Sequence, residues 1–416
     1  MMDRPVEQKC SSAAVTLWNK FSPENTSNPS FPCKRESSSL MLWIPAGACP
    51  RISLSGAGMT FSFPFVSILD MRVLLKNFWS SALLVFCTVI ISLFTIHYSL
   101  PTAYAETTIR VLLVDNMNPR VPDRNEKMER MGNAKGDAFL SGLKYSGIIE
   151  VWKGEKGLYV VNEIPFEDYI KGVVAGEVGS NWDIEALKAQ AVAARTYAFY
   201  HKFNNELHKM PFHLTSSVLH QVYIYKGDSI SENIVKAVNE TRGEILTFEG
   251  KPILAFYHSA SVGMTEDPAE VFGRSLPYLK PVEATATLSP HYIWEKRIHL
   301  SDIEKAANIT GIKEIAINSR TVSNRVRDFK IITDNGKHYI PARELRMNLG
   351  WRELPSTLIT NITNNGEKFV FEGRGFGHGV GMCQWTVLDM ARAGMNYREI
   401  LSRFYPGAVI QLYEDL

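Results

Sequence analysis

One glutamate, Glu177, stands where two helical patterns meet, in the stretch Ile164 to Lys202 (IPFEDYIKGVVAGEVGSNWDIEALKAQAVAARTYAFYHK). Burial beside Val173, Val174 and Trp182 would keep its carboxyl protonated near neutral pH, and cleavage of a glycosidic bond needs such an acid at the leaving oxygen. Hydrolysis also needs a second carboxylate as nucleophile or base. Glu167, Asp168, Asp183 and Glu185 read as helix-surface or first-turn residues, with Glu185 the nearest rival. Arg195 and Tyr197, about three turns into the second helical pattern, are candidates to orient the acid or hold a sugar. The alternatives are a structural helix-end carboxylate for Glu177 and a plain buried ion pair for Arg195. His220, Tyr257, Ser259, His378 and Gln384 complete the candidate substrate-binding set.

The elements that must position these groups follow from periodicity. Tyr169, Ile170, Val173 and Val174 recur at helical spacing behind Pro165, which predicts a helix from Phe166 to Ala175, loosened by Gly176 and Gly179. Asn181 or Asp183 can cap a second helix in which Ile184, Leu187, Ala191, Ala194 and Ala198 share a face, and the alanines allow another element to approach closely. Thr108 to Val114, Ser146 to Trp152 and Leu158 to Val161 read as strands of a neighbouring sheet. Pro211 to Tyr225, which holds His213 and His220, is polar in its first half and strand-like in its second. Ser231 to Arg242 reads as a helix capped by Ser231 and ended by Gly243. Glu244 to Phe248 and Pro252 to Tyr257 read as a hairpin that delivers His258, Ser259 and Ser261 at its end. Between residues 300 and 349 the pattern predicts a helix at Ser301, a strand from Arg327 to Thr333, a turn at Asp334 to Gly336 and a helix from Pro341 to Met347, either an inserted subdomain or a lobe of the same domain. The stretch Gly373 to Gly381 has five glycines in nine residues, so its backbone must turn tightly or approach something closely. A sugar chain is one candidate, and a turn packed under a helix from Gln384 to Ala393 is the other.

Several chemistries are excluded. No G-x-S-x-G elbow is present for a serine hydrolase, and the glycine run lacks the Lys-Ser/Thr of a phosphate loop. A formal net charge of +2 without long basic runs argues against nucleic acid. Only Cys383 lies in the folded region, so no disulfide and no C-x-x-C zinc site can form there, and the thiol reads as a small core residue.

Residues 1–70 are Ser-, Pro- and Asn-rich without sustained period and read as a doubtful or disordered extension, with a second start at Met71, the alternative being a genuine cytoplasmic tail. Residues 71–77 form a basic n-region, and Phe78 to Ile96 is almost wholly apolar or small, so residues 78–97 read as a transmembrane anchor or a signal peptide. Arg72 and Lys76 before the run place the following chain outside the cytoplasm. Ala103-Tyr104-Ala105 offers a cleavage pattern, which keeps a secreted form open.

EDYIKGVVAGE, then Trp182, then EALKAQAVAARTYA, followed by FYHSASVGMTEDPAEVFGRSLPYLKPVEA (Phe256 to Ala284), GRGFGHGVGMCQW (Gly373 to Trp385) and AGMNYREILSRFYPGA (Ala393 to Ala408), resembles the signature of the stage II sporulation protein D family. These are cell-wall proteins of endospore-forming bacteria that share a domain with amidase enhancers. The resemblance covers residues 107–416. It implies a lytic transglycosylase that cleaves peptidoglycan glycan strands, stripped of stem peptides, to 1,6-anhydromuramyl ends during engulfment of the forespore, with Glu177 acting first as acid and then as base. The implied partners are a sporulation amidase or endopeptidase and a membrane scaffold protein, at the cell membrane. A non-catalytic, wall-binding amidase enhancer is the alternative. Some relatives hold zinc with a His and two Cys near His213 and His220; the cysteines are missing here, so no cofactor is expected. Val262 and Phe272 replace an expected Gly and Trp. The expected fold is α+β, with mixed helices and short strands forming a substrate groove behind one N-terminal transmembrane helix.

Overall fold

The computed structural model describes residues 107–416 except 115–119, 124–125, 141, 208–210 and 225–228, and the side chains of residues 205–207. The expected membrane segment at 78–97 and the extension at 1–70 lie outside the described residues. Among the described residues no helix is long and apolar enough to cross a membrane.

The described chain is mixed α and β. A five-stranded sheet comes first, built from β1 (Thr108–Leu113), β2 (Glu129–Leu140), β3 (Leu143–Gly154), β4 (Gly157–Pro165) and the short β5 (Leu214–Thr215), in the order β2-β3-β4-β1-β5. All neighbours are antiparallel except β1 and β5. Strand β2 (ERMGNAKGDAFL) was not expected; it is exposed along almost its whole length, so no apolar alternation marks it.

Two helices cover this sheet. Helix α1 (Phe166–Glu177) begins after Pro165 and buries Phe166, Tyr169, Ile170, Val173 and Val174. It runs two residues beyond the expected end, through Gly176, so Glu177 is its last residue and Val178 is already extended. Helix α2 (Ile184–Leu207) starts at Asp183, whose carboxylate accepts from the Glu185 N–H at 2.9 Å. Its alanines do more than the expected single face requires. Leu187, Ala191, Ala194 and Ala198 enter the core shared with α1 and the sheet, while Ala186, Ala189, Val192 and Ala193 enter a second core. A helix enclosed on all sides needs small residues all round.

Helix α3 (Glu232–Glu240) adds Ile234, Ala237 and Val238 to the first core. The second core draws on β6 (Glu244–Phe248), β8 (Tyr257–His258), α4 (Pro268–Phe272), β10 (Glu283–Thr285) and elements near the C-terminus, with β7 (Lys251–Pro252) and β9 (Val262–Met264) pairing onto β6 and β10. Ser231 precedes α3 but does not cap it; its hydroxyl donates to the Ser180 carbonyl at 3.4 Å. The expected hairpin is shorter than read, because only Lys251 and Pro252 pair back onto β6.

A third core has its own layers. Strand β11 (Trp294–His299), helix α5 (Leu300–Ala307), β12 (Ile312–Arg320), β13 (Val326–Thr333), β14 (Gly336–Pro341), helix α6 (Ala342–Leu349), β15 (Ile359–Asn364) and β16 (Lys368–Gly373) make two three-stranded sheets, β11-β16-β15 and β12-β13-β14. The stretch set apart at 300–349 is therefore part of a longer unit, closed where β16 returns to pair with β11. The chain then re-enters the second core through β17 (Met382–Cys383), α7 (Gln384–Arg392), α8 (Tyr397–Phe404) and β18 (Val409–Leu412).

The pair that joins α1 to α2 is Glu167 with Arg195. Glu167 was read as a helix-surface residue, yet it is 3% exposed and Arg195 is 0% exposed. The guanidinium donates from Nε (2.9 Å) and Nη2 (2.8 Å) to the two carboxylate oxygens, and its remaining hydrogen bonds go to the carbonyls of Val238 and Glu244. Removing one partner strands a buried charge. Arg195→Met is expected to lower stability by about 3–5 kcal/mol, read as a fall in the urea midpoint. The double variant Arg195→Met, Glu167→Leu should recover most of it, and an unchanged midpoint in the single variant would show that the pair holds nothing.

Candidate active site

Glu177 sits where α1 ends against the segment that follows β5. Helix α1 presents Gly172 and Gly176 to that segment, and the approach is close. A Cβ at Gly176 would stand 2.8 Å from the Val222 carbonyl oxygen, and one at Gly172 would stand 2.7 Å from the Tyr223 ring. This contact brings the Val222 N–H to Glu177, to which it donates at 2.8 Å on Oε1.

The other carboxylate oxygen is met from a remote part of the chain. Strands β8 and β17 pair in parallel, Met382 with Tyr257 and Cys383 with His258, so Tyr257 and Gln384 arrive side by side. Gln384 Nε2 donates to Glu177 Oε2 and to Gln190 Oε1, both at 3.4 Å. Tyr257 supplies a further hydrogen bond to the carboxylate. Its hydroxyl in turn accepts from Gln221 Nε2 at 2.9 Å, and Gln221 accepts from the Tyr169 hydroxyl at 3.1 Å. Burial raises the Glu177 carboxyl above the ordinary glutamate range; the hydrogen bonds from Val222, Gln384 and Tyr257 act in the opposite direction without cancelling it.

Tyr197 lies against Tyr257 (ring centroids 6.4 Å), Phe256 (6.0 Å), His220 (6.5 Å) and His201 (4.5 Å). Burial and the Glu177 charge both raise its phenol. His201 and His220 meet edge to face at 4.9 Å, and burial lowers them to about 3 and about 4, so both are neutral. His378 accepts from the Val380 N–H at 3.0 Å, packs on Phe256 at 5.9 Å and Phe272 at 5.4 Å, and is lowered to about 3 by burial and the charges of Arg346 and Arg325. Ser259 contributes its carbonyl, which accepts from the Trp385 N–H at 3.1 Å.

Arg195 does not join this group. Residues two apart on a helix point about 200° from each other, so Arg195 and Tyr197 cannot share a face. The stripe that does face the site is Gln190, Ala194, Tyr197 and His201, at spacings of four, three and four. Gln190 and His201 escaped the sequence reading, although that spacing marks them. Val222 and Gln221 escaped it too, because their segment read as a strand; β5 stops at Thr215, and no pattern reveals a backbone N–H aimed at a carboxylate. The rival acid Glu185 is held by Lys188 (2.9 Å) and the Tyr397 N–H (2.8 Å).

The glycine run approaches the protein's own backbone. Phe376 and Ala260 exchange backbone hydrogen bonds at 2.9 and 3.0 Å, and a Cβ at Gly375 would stand 2.5 Å from the Ala260 carbonyl oxygen. Cys383 is buried beneath it, accepting from the Ser261 N–H and the Thr386 hydroxyl, as a core residue. Nor do the residues near β5 fit a zinc ion. His213 Nδ1 accepts from the Arg110 N–H at 3.0 Å, His220 Nδ1 is engaged by Thr215, and the segment offers no thiolate.

Comparison with known proteins places these features. The profile of the Stage II sporulation protein family matches residues 154–248, and that of a domain of unknown function (DUF8618) matches residues 286–381. An uncharacterized protein of Brachyspira hyodysenteriae is 35% identical over 284 residues, 67% of this chain and 75% of that protein. The amidase enhancer of Bacillus subtilis is 30% identical over 59% of this chain, but only 40% of its own length is matched. Stage II sporulation protein D of Bacillus amyloliquefaciens is 32% identical over 60% of this chain and 75% of its own length. That coverage of three quarters of a relative, through the segment that carries Glu177, makes this chain a member of the stage II sporulation protein D family.

Proposed function

We propose that this protein is a lytic transglycosylase that cleaves peptidoglycan glycan strands stripped of their stem peptides, with Glu177 as its acid and base. The observation that carries this reading is the Glu177 carboxyl, half-buried, held by the Val222 N–H and Gln384, and kept above the ordinary carboxylate range. Protonated, it gives its proton to the glycosidic oxygen as the anomeric bond breaks. The carboxylate then takes the proton from the muramyl C6 hydroxyl as that oxygen bonds to the anomeric carbon, which closes the 1,6-anhydro ring. No second carboxylate is needed, and among the described residues none joins the hydrogen bonds around Glu177. Tyr197, His201, His220, Tyr257 and His378 form the wall against which the strand lies.

The apolar run from Phe78 to Ile96 supports placement outside the cytoplasm on a membrane anchor, with a secreted form as the alternative. In this reading the protein works during engulfment of the forespore, beside an amidase that strips the peptides and a membrane scaffold protein. A second reading, a wall-binding amidase enhancer without catalysis, is favoured by the name of the Bacillus subtilis relative.

The two readings separate in one assay. Full-length wild-type protein and Glu177→Gln are incubated with peptide-free glycan, and the ends are identified by mass spectrometry. The wild type is expected to produce anhydromuramyl ends, and the variant to lose at least about a hundredfold in rate. Reducing ends would mean hydrolysis instead, and no cleavage with intact amidase stimulation would leave the enhancer reading.

A pH dependence follows from the same carboxyl. Glu177 must start protonated, so kcat is expected to fall as pH rises through its raised pKa. Stability moves the same way. Between the ordinary value of 4.5 and the raised one, the folded chain holds a proton that the unfolded chain has released, so stability falls as pH rises through that window. Glu177→Gln should therefore raise Tm at neutral pH and leave it unchanged well below the ordinary value of 4.5, where both states of the wild type are protonated. A variant that melts lower than wild type at pH 7 would contradict the raised pKa.

A further inference from the structure

Two polar groups near the site lack protein partners among the described residues. His201 Nε2 is buried and has no hydrogen bond among the described residues. Arg274 is exposed, and no carboxylate pairs with it among the described residues. Its position is fixed by what flanks it. Helix α4 ends at Gly273 in the left-handed conformation, just after Phe272, which is 38% exposed and stacks on Phe256 at 4.2 Å with the rings 13° from parallel. Four residues past Arg274, the Tyr278 hydroxyl accepts from the Leu254 N–H at 3.2 Å. The loop from Gly273 to Pro277 is thus pinned at both ends over residues 254–256, one residue from Tyr257 and its contact with Glu177. Helix α4 is held in turn by Arg327 on Glu270 and by Arg343 on the Val271 carbonyl.

From there the Arg274 charge reaches Tyr197, His201 and Tyr278. Both imidazoles packed on Tyr197 are neutral, so they do not supply the cation here. An exposed aromatic face, a free guanidinium and an unpartnered imidazole nitrogen in one place suit a sugar that carries an anion: the ring stacks on Phe272, and the anion meets the guanidinium and the imidazole.

We propose that Arg274, assisted by His201 Nε2, binds the free lactyl carboxylate of a peptide-free muramic acid, and that this contact selects stripped strands over peptide-bearing ones. When a stem peptide is attached, that carboxylate is an amide: the charge is gone and the chain beyond it is bulky. The inference rests on peptidoglycan as the ligand of the Glu177 site, but not on cleavage.

The test measures binding, by calorimetry, of full-length Glu177→Gln protein with Arg274 intact, with Arg274→Gln and with Arg274→Lys. The two probes are peptide-free glycan and the same glycan with its lactyl carboxylates reduced to alcohols. Loss of a charged hydrogen-bond pair is expected to weaken binding of peptide-free glycan by about tenfold or more in the Gln variant. Lysine should restore part of it, and the reduced glycan should bind all three proteins equally. Equal binding of peptide-free glycan by all three proteins would overturn the proposal. So would an equal loss on both probes, which would make Arg274 a part of the loop rather than a reader of the anion. If wild-type protein forms no anhydro ends while the carboxylate-dependent loss is seen, the transglycosylase reading falls and this inference stands.

Discussion

The site depends on the close approach of helix α1 to the chain after β5. Glycine at 172 and 176 removes the side chains that would hold Tyr223 and Val222 away. A methyl group at Gly176 would press on the Val222 carbonyl and shift the neighbouring N–H that holds Glu177. Gly176 costs helix stability in the last turn of α1, by about 1 kcal/mol against alanine. That cost is tolerable because the helix draws its order from Tyr169, Ile170, Val173 and Val174, all fully buried. A weak helix former therefore sits where the sequence pattern loosens, one residue before the acid.

Helix α2 connects this arrangement to the rest of the chain. It passes between two cores and shows a different chemistry on each side. One side carries Arg195 to Glu167 and to carbonyls of α3 and β6; another carries Gln190, Tyr197 and His201 towards the groups around Glu177. The small residues between them let α1, α7 and α8 pack around it, and α7 delivers Gln384. A shift of α2 would move the ion pair and the groups around Glu177 together, which couples a fully buried charge pair to the position of the site.

How much of this the sequence revealed depends on what kind of signal each part leaves. Helices α1, α2, α6 and α7 and strands β1, β4 and β13 were legible because a buried face imposes a period. Strand β2 was not, because it is exposed along its length and its pairing to β3 leaves no mark on side-chain polarity. Tyr257 and Gln384 could be named one by one, but their adjacency rests on a parallel pairing between chain segments more than a hundred residues apart. The unit around β12 to β14 was read too short, since the strands that close it, β11 and β16, lie on either side of the stretch that caught attention. Arg195 and Tyr197 were read together as candidates for the site, with a plain buried ion pair as the alternative for Arg195; the alternative is what the structure shows, and the helical period, applied to that pair, separates them.

That separation bears on the chemistry. A guanidinium beside Glu177 would favour the carboxylate and pull its pKa down, leaving no proton to deliver at neutral pH. What surrounds Glu177 instead is neutral: a backbone N–H, glutamines and tyrosine hydroxyls, with both nearby histidines uncharged. Such groups can hydrogen-bond either protonation state, so they orient the carboxyl without fixing its charge. An acid that must first give and then take a proton needs this indifference. The fold supplies it by turning Arg195 to the far side of α2, where Glu167 neutralises it, and by leaving Arg274 at the rim, in contact with solvent, where water weakens its pull on the carboxylate.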